Sequence, residues 1–398
     1  MPLSMRPRTS VRVIAIAVTV ALAGALAACG SQGAAPRASH TRGSSTPTPT
    51  PTPVDPIAEY ADARLASMTL QQKVASLLML HAPGTDGAAL RAFVDQYGLG
   101  GLILMGDNIP ASPDLLSQET TAISADPELP VLIATDEEGG DVARLGWDTL
   151  PGADQLKNLP PAATHDAFAT RAQLLQQAGI NVNFGIIADT TSDPQSFIYD
   201  RVLGTDPASA ADRVAAAVSA EHGTVMSTLK HFPGHGETEA DSHLTVPTTA
   251  TSMDAWTTRD APPFEAGVGA GAELVMFGHL VYSAVDAQPA SLSSRWHEIL
   301  RDDLGFTGIA ITDDLRMLQD TGLAQYQNPS ENAVAALQAG NTMLLFVTAA
   351  DPAQDGIDPG RLIADIVSAV DNGRISLQQI DTDARKLLIA RRTLAHQG

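Results

Sequence analysis

The 398-residue sequence holds a single cysteine, which excludes an internal disulfide framework and any zinc or iron–sulfur site built from several cysteines. Basic residues are scarce: 24 Lys and Arg stand against 45 Asp and Glu, a formal net charge of −21. A surface this negative repels phosphate backbones and argues against DNA or RNA as a partner. No G-x-G-x-x-G follows the first strand candidate, and G-x-x-x-x-G-K-[ST] is absent throughout, so neither a dinucleotide fold nor a P-loop is indicated. With 32 Gly and 26 Pro, collagen-like or wholly disordered material is excluded. What is present, 44% hydrophobic and 17% charged residues, is the composition of a soluble globular body.

The N-terminus reads as an address. Arg6, Arg8 and Arg12 precede sixteen uncharged residues, Val13 to Ala28, which end in Leu26-Ala27-Ala28-Cys29. A basic start, a short apolar run and small residues at a cleavage point make a secretory signal peptide, and the run is short of the ~20 residues of a spanning helix. The sequence around Cys29 resembles a bacterial lipobox. The resemblance implies a signal peptide over residues 1–28, lipid attachment at Cys29, and residence at the outer face of the cell membrane. An uncleaved N-terminal anchor is the alternative, and it too implies export. Removing residues 1–28 takes away three arginines and no acid, leaving −24.

Residues 29–56 are dominated by Ser, Gly, Thr and Pro, including Thr46-Pro47-Thr48-Pro49-Thr50-Pro51-Thr52-Pro53. With no core-forming residues, this segment is expected to be an extended tether. One domain is then expected over residues 57–398.

Within that body, short apolar runs occur at Val74–Leu80, Leu102–Met105, Val131–Thr135, Val182–Ala188, Val225–Leu229, Leu274–Phe277, Ile309–Thr312 and Met343–Val347. Helix-type segments lie between them, such as Pro161–Gln177, Ala208–Glu221, Asp254–Gly267 and Asn332–Ala339. Thr69-x-x-Gln72 is a capping-box pattern, so the first run can be partly helical. The pattern Leu377 to Leu394 reads as a last helix covering the barrel. Strands alternating with helices predict an α/β fold with a parallel sheet, most economically a (β/α)8 TIM-type barrel. Polar residues follow successive runs: His81, Gly106-Asp107-Asn108, Asp136-Glu137-Glu138, Asp189, Lys230-His231, Gly278-His279 and Asp313-Asp314. Barrel active sites lie at the C-terminal strand ends, so this series is expected to converge on one mouth.

Acids, histidines and cations without phosphate-binding loops suit a polyhydroxylated substrate, whose hydroxyls donate to carboxylates. Glycoside hydrolysis needs one group to stabilise an oxocarbenium-like centre and another to protonate the departing oxygen. The segment Lys230-His231-Phe232-Pro233-Gly234-His235-Gly236-Glu237-Thr238-Glu239-Ala240-Asp241-Ser242-His243 cannot be a regular helix because of Pro233, Gly234 and Gly236. In an extended stretch Asp241 and His243 project to the same side. A carboxylate beside an imidazole fixes its tautomer and raises its basicity, as a general acid/base requires. A metal site drawn from His231, His235, Glu237, Glu239, Asp241 and His243 is the competing reading. Paired zinc-binding histidines usually sit one turn apart on a helix, which Pro-Gly prevents here, so no metal and no cofactor is expected.

The loop resembles that of family 3 glycoside hydrolases, in the β-N-acetylhexosaminidase branch that acts on peptidoglycan fragments. The resemblance implies that His243, paired with Asp241, is the acid/base. It implies that the aspartate after a strand-end threonine is the nucleophile, which in Ile311-Thr312-Asp313-Asp314-Leu315-Arg316-Met317 is Asp313, with Asp314 a structural neighbour. Lys230 and His231 match the pair that binds substrate hydroxyls. Asp136-Glu137-Glu138-Gly139-Gly140-Asp141-Val142-Ala143-Arg144 resembles the family's substrate-binding run, giving Asp136 and Arg144 as sugar contacts, with Asp141 in place of an arginine. Phe197 to Gly204 resembles a further segment and gives Arg201 as a binding residue. Thr342 stands where the family usually has aspartate.

The implied chemistry is a retaining double displacement through a glycosyl–Asp313 intermediate. The expected substrate is an N-acetylglucosamine-containing glycan and the expected state a monomer. A histidine repels an anionic acceptor less than a glutamate, so a phosphorylase is the alternative within the enzyme class. A non-catalytic glycan-binding lipoprotein is the alternative outside it.

Overall fold

The computed structural model describes residues 55–236, 238, 242, 244–348 and 356–396. The segment expected as a signal peptide at 1–28, Cys29, nearly all of the segment expected as a tether, and the Asp241 and His243 pair lie outside the described residues.

Eight parallel strands make the core: β1 (Leu78–Leu80), β2 (Gly101–Ile103), β3 (Leu132–Thr135), β4 (Val182–Ile187), β5 (Met226–Phe232), β6 (Leu274–Phe277), β7 (Ile309–Thr312) and β8 (Leu344–Phe346). Each pairs with its sequence neighbour from β1 to β7, and β8 pairs with β1, Met79 lying opposite Leu345. A parallel bridge between Ile311 and Met343 joins β7 to the start of β8 and brings the sheet round to a barrel. Every residue of these strands is buried, as expected of a parallel sheet covered by helices. The fold is the expected (β/α)8 barrel.

The helices start where cap chemistry dictates. Asp55, Ser112, Asp206, Asn328 and Asp358 each accept a hydrogen bond from the first turn of the helix that follows, and each is followed at once by proline. The cap satisfies a donor left open by the helix, and the proline takes the position where no N–H is needed.

Three boundaries differ from the sequence pattern. Val74–Leu80 is not one strand: the Thr69–Gln72 capping box forms, a helix runs Leu70–Ser76, and only Leu78–Leu80 joins the sheet. β5 extends to Phe232, so Lys230 and His231 are strand residues rather than the start of a loop. The segment predicted as one helix over Asp254–Gly267 is two, Met253–Arg259 and Ala261–Gly269. Pro262 and Pro263 cannot donate within a helix and so are confined to a first turn, which forces the break at Asp260. The helix Leu377–Leu394 packs against Pro56–Ser67 and covers the N-terminal strand ends, where Lys386 Nζ donates to Thr307 O at 2.7 Å.

β5 and β6 are clasped from outside by edge-to-face aromatics. Phe232 meets Trp256, Phe264, Phe277 and Trp296 at centroid separations of 5.0–6.0 Å. Edge-to-face pairs add to the burial of each ring, so the strand that carries Lys230 and His231 is held firmly from behind. Among the described residues no helix is long and apolar enough to cross a membrane.

Candidate active site

Asp136, Arg144, Arg201, Lys230, His231 and Asp313 line one cavity of about 220 Å³, together with Glu138, Phe197, His235, Ser242 and several apolar side chains. They come from the C-terminal ends of β3, β5 and β7 and from the loops that follow β3, β4 and β5. Six of the residues read from the sequence are therefore brought together. Asp241 and His243 belong to the same loop as Ser242 but lie outside the described residues.

One wall is a charge ladder. Lys230, 3% exposed, donates through Nζ to Asp136 Oδ1 at 2.9 Å and stands 2.8 Å from Glu138 Oε1. Arg201 grips Glu138 with two parallel bonds, Nε–Oε2 at 2.9 Å and Nη2–Oε1 at 2.7 Å. Arg144 Nη2 reaches Asp136 Oδ2 at 3.2 Å. Burial would raise the pKa of both acids, but Lys230 and the two arginines outweigh it and pull Asp136 down to about 2 and Glu138 below its ordinary value. Two carboxylates and three cations thus stay charged and preorganised, able to exchange hydrogen bonds with sugar hydroxyls.

The second wall is built on Asp189, fully buried after β4. Its carboxylate accepts His231 Nδ1–H at 2.8 Å and the His235 backbone N–H at 2.6 Å. Burial raises its pKa, but the His231 charge and these hydrogen bonds win, so it stays ionised. With Nδ1 committed to Asp189, His231 has Nε2 left for the cavity. Tyr282 OH donates to Gly234 O at 2.7 Å and Trp256 Nε1 to Pro233 O at 2.8 Å, fixing the base of the loop after β5. Gly236 comes so close to the chain after β4 that a Cβ would stand 1.7 Å from Thr190 O; only glycine fits there.

Asp313 lies at the floor, directly after β7, its backbone N–H bonded to Phe277 O at 2.9 Å. Its carboxylate accepts the Asp314 N–H at 2.8 Å. Burial pushes its pKa up, but His231, the Asp314 N–H and Lys230 overcome this and hold it below the usual carboxylate range. It is therefore an ionised carboxylate in a partly desolvated pocket. Asp314 does different work: its Oδ1 accepts the N–H groups of Arg316 at 3.0 Å and Val347 at 2.9 Å, tying β7 to β8. Behind them His279, held neutral by burial, donates Nε2–H to Asp314 O at 2.9 Å and pairs Nδ1 with Ser291 Oγ at 2.7 Å. Among the described residues no group of three or more His, Cys, Asp or Glu is arranged to hold a metal ion.

Glu138, Asp189 and His279 are supports that the sequence placed at strand ends without a role. Their position was legible, but their partners come from other strands, and an ion pair between distant segments leaves no local pattern.

The arrangement, two walls of hydroxyl-binding groups around an ionised carboxylate, is suited to a sugar. Residues 69–390 match the family model described as glycosyl hydrolase family 3 N terminal domain. The chain belongs to glycosyl hydrolase family 3. A beta-hexosaminidase of Nitrosomonas eutropha is 34% identical over 292 residues, 70% of this chain and 82% of its own. A beta-hexosaminidase of Xanthomonas oryzae pv. oryzae is 36% identical over 255 residues, 61% of this chain and 75% of its own. Among solved structures, a family 3 beta-N-acetylglucosaminidase from Paenibacillus sp. superposes with a TM-score of 0.74 at 28% identity, covering 82% of this chain but only 63% of that one. The beta-N-acetylhexosaminidase from Beutenbergia cavernae superposes with a TM-score of 0.70 at 26% identity, covering 82% of this chain and 99% of that one. As a family 3 member the protein is a glycoside hydrolase.

This glycoside hydrolase carries several buried acids that favour their protonated form. Burial pushes Glu221 up to about 8 and Glu137, Asp314 and Asp383 each to about 7. Between the ordinary carboxyl range near pH 4 and these raised values, each of these acids binds more protons folded than unfolded, so stability falls as pH rises. A smaller opposite slope below about pH 6.5 comes from buried His235 and His297, both lowered to about 4. Below pH 4 the depressed group Asp136 reverses the slope, because its stabilising charge is lost as pH drops toward about 2. The expected result is a thermal midpoint higher at pH 5 than at pH 8, measured by calorimetry in matched ionic strength. A midpoint that climbs from pH 5 to pH 8 contradicts this assignment.

Proposed function

We propose that the protein is an exo-acting, retaining β-N-acetylhexosaminidase that removes terminal β-linked N-acetylglucosamine from peptidoglycan-derived glycans. The observation that carries the reading is the ionised Asp313 carboxylate at the floor of a cavity walled by Lys230, Asp136, Arg144, Arg201 and His231. At about 220 Å³ the cavity is smaller than the ~300–1,000 Å³ of typical small-molecule sites, which suits one terminal sugar rather than a running chain. The names of the relatives, beta-hexosaminidase and beta-N-acetylglucosaminidase, favour an acetamido sugar.

In this reading Asp313 attacks the anomeric carbon while protonated His243 gives its proton to the leaving oxygen. The product of that step is a glycosyl ester of Asp313. Neutral His243 then takes a proton from water, which attacks the anomeric carbon, displaces the Asp313 carboxylate and releases the sugar with retained configuration. Asp241 holds the His243 tautomer and keeps it basic. Lys230, Asp136, Arg144, Arg201 and His231 hold the sugar's hydroxyls and need not move. The same reading has the enzyme exported, lipidated at Cys29 and held at the outer face of the membrane, so that its substrate is the adjacent wall. Cys29→Ala is expected to shift the protein from the membrane fraction to the soluble one; an unchanged distribution rejects the anchor.

The direct experiment is turnover of 4-nitrophenyl N-acetyl-β-glucosaminide against 4-nitrophenyl β-glucoside, with and without inorganic phosphate. Release from the first substrate, little from the second and no phosphate dependence is the expected outcome. Acceleration by phosphate with formation of a sugar 1-phosphate assigns a phosphorylase instead. No release from either substrate sinks the hydrolase reading.

A further inference from the structure

His235 is buried in the wall of the cavity, 1% exposed, yet none of the steps above uses it. Its ring is fixed on every side. Phe197 meets it edge-on at 5.1 Å and His231 at 5.6 Å, and its backbone N–H is bonded to Asp189. Thr238 donates its hydroxyl to the His235 carbonyl at 3.0 Å, which leaves the lone pairs of Thr238 Oγ1 to accept His235 Nδ1–H at 3.3 Å. Nδ1 being the protonated nitrogen, Nε2 is an acceptor, and it faces Ser242 Oγ at 3.0 Å. The serine hydroxyl is therefore the donor, and burial, which pushes His235 down to about 4, keeps the acceptor neutral across the working pH range.

Ser242 lies seven positions after His235 in the chain. The first end of this stretch is anchored to the barrel through Asp189, Trp256 and Tyr282. The second end is anchored by the Ser242 hydrogen bond, and Ser242 stands in the sequence between Asp241 and His243. We propose that His235 is a positioning residue, whose bond to the Ser242 hydroxyl fixes the chain at the residue that directly precedes the acid/base histidine. This rests on the reading of His243 as the acid/base. A single hydrogen bond suffices for such a role because proton transfer demands close placement, and a displacement of about 1 Å can cost on the order of 100-fold in rate.

The test uses the full-length enzyme and kcat/KM, which reports formation of the glycosyl-enzyme. Ser242→Ala, Ser242→Thr and His243→Ala are compared on two N-acetyl-β-glucosaminides, one with a 2,4-dinitrophenyl leaving group and one with phenyl. The first group departs without a proton and the second needs one. Ser242→Ala is expected to lose about 10–100-fold on the phenyl glycoside and only a few-fold on the dinitrophenyl one. Ser242→Thr, which keeps the hydroxyl, is expected to restore the phenyl activity. His235→Gln is expected to show the same leaving-group dependence as Ser242→Ala. Equal losses on the two substrates, or none, for Ser242→Ala while His243→Ala is selectively impaired on phenyl overturn the positioning role alone. A His243→Ala enzyme without that selectivity overturns the acid/base reading, and the positioning role with it.

Discussion

Asp313→Asn is expected to lower kcat/KM on an aryl N-acetyl-β-glucosaminide by about 10⁴-fold or more, the scale seen when a covalent nucleophile is removed. The fold should survive. Asp313 contributes its backbone N–H to Phe277 O, which asparagine retains, and the ties from β7 to β8 run through Asp314 and not through Asp313. The replacement removes a charge that His231, the Asp314 N–H and Lys230 favour on balance over burial, so the thermal midpoint should fall modestly without loss of the fold. Asp314→Asn provides the contrast. Its carboxyl accepts two backbone N–H groups and is pushed by burial to about 7; an amide oxygen can still accept both, so activity should fall far less than with Asp313→Asn. Circular dichroism and initial rates on the two variants check the pair. Comparable activity in the wild type and Asp313→Asn contradicts the assignment, and so does a larger loss at Asp314 than at Asp313.

Lys230→Met is expected to cost about 3–5 kcal/mol of stability, the scale for removing one partner of a buried ion pair. Lys230 is 3% exposed and its ammonium lies within 2.9 Å of Asp136 Oδ1 and 2.8 Å of Glu138 Oε1. Methionine replaces the apolar stem of lysine up to Cε but leaves two buried carboxylates sharing Arg144 and Arg201. Asp136, held near 2 with Lys230 among its main supports, should titrate higher, so the residual activity of the variant should shift its acid limb to higher pH. Urea unfolding at pH 6 measures the first effect and a pH–rate profile the second. A variant as stable as the wild type would show that the charge ladder contributes nothing to the fold.

The barrel was legible because each buried strand is a short apolar run with a polar residue at its C-terminal end, and the barrel turns those ends to one face. Lys230, Asp136 and Asp313 could be placed at one mouth on that ground alone. The division of the first run between helix and strand was signalled by Thr69–Gln72 but not located, because Val74 and Ala75 are buried on the helix and Leu77 at its C-cap, and a short apolar run does not distinguish a buried helix from a buried strand. The split at Asp260 was visible in Pro262 and Pro263 but outweighed by the helical periodicity around them. What the sequence could not show was which charges meet. Arg201 reads as a free sugar-binding cation, whereas Glu138, 63 residues away in the chain, holds it with two hydrogen bonds. His235 reads as one member of a histidine-rich loop, and only the distances to Thr238 and Ser242 separate its role from that of His231.

The central claim is that Asp313 becomes covalently bonded to the sugar. Incubation with a 5-fluoro N-acetyl-β-glucosaminyl fluoride, followed by proteolysis and peptide mass spectrometry, tests it most directly, because the ring fluorine slows both steps while the good fluoride leaving group keeps formation of the ester faster than its hydrolysis. The account predicts one added fluoro-sugar per enzyme, on the peptide containing Ile311-Thr312-Asp313-Asp314 and lost in Asp313→Asn. A label on any other residue, or the same label in Asp313→Asn, contradicts it.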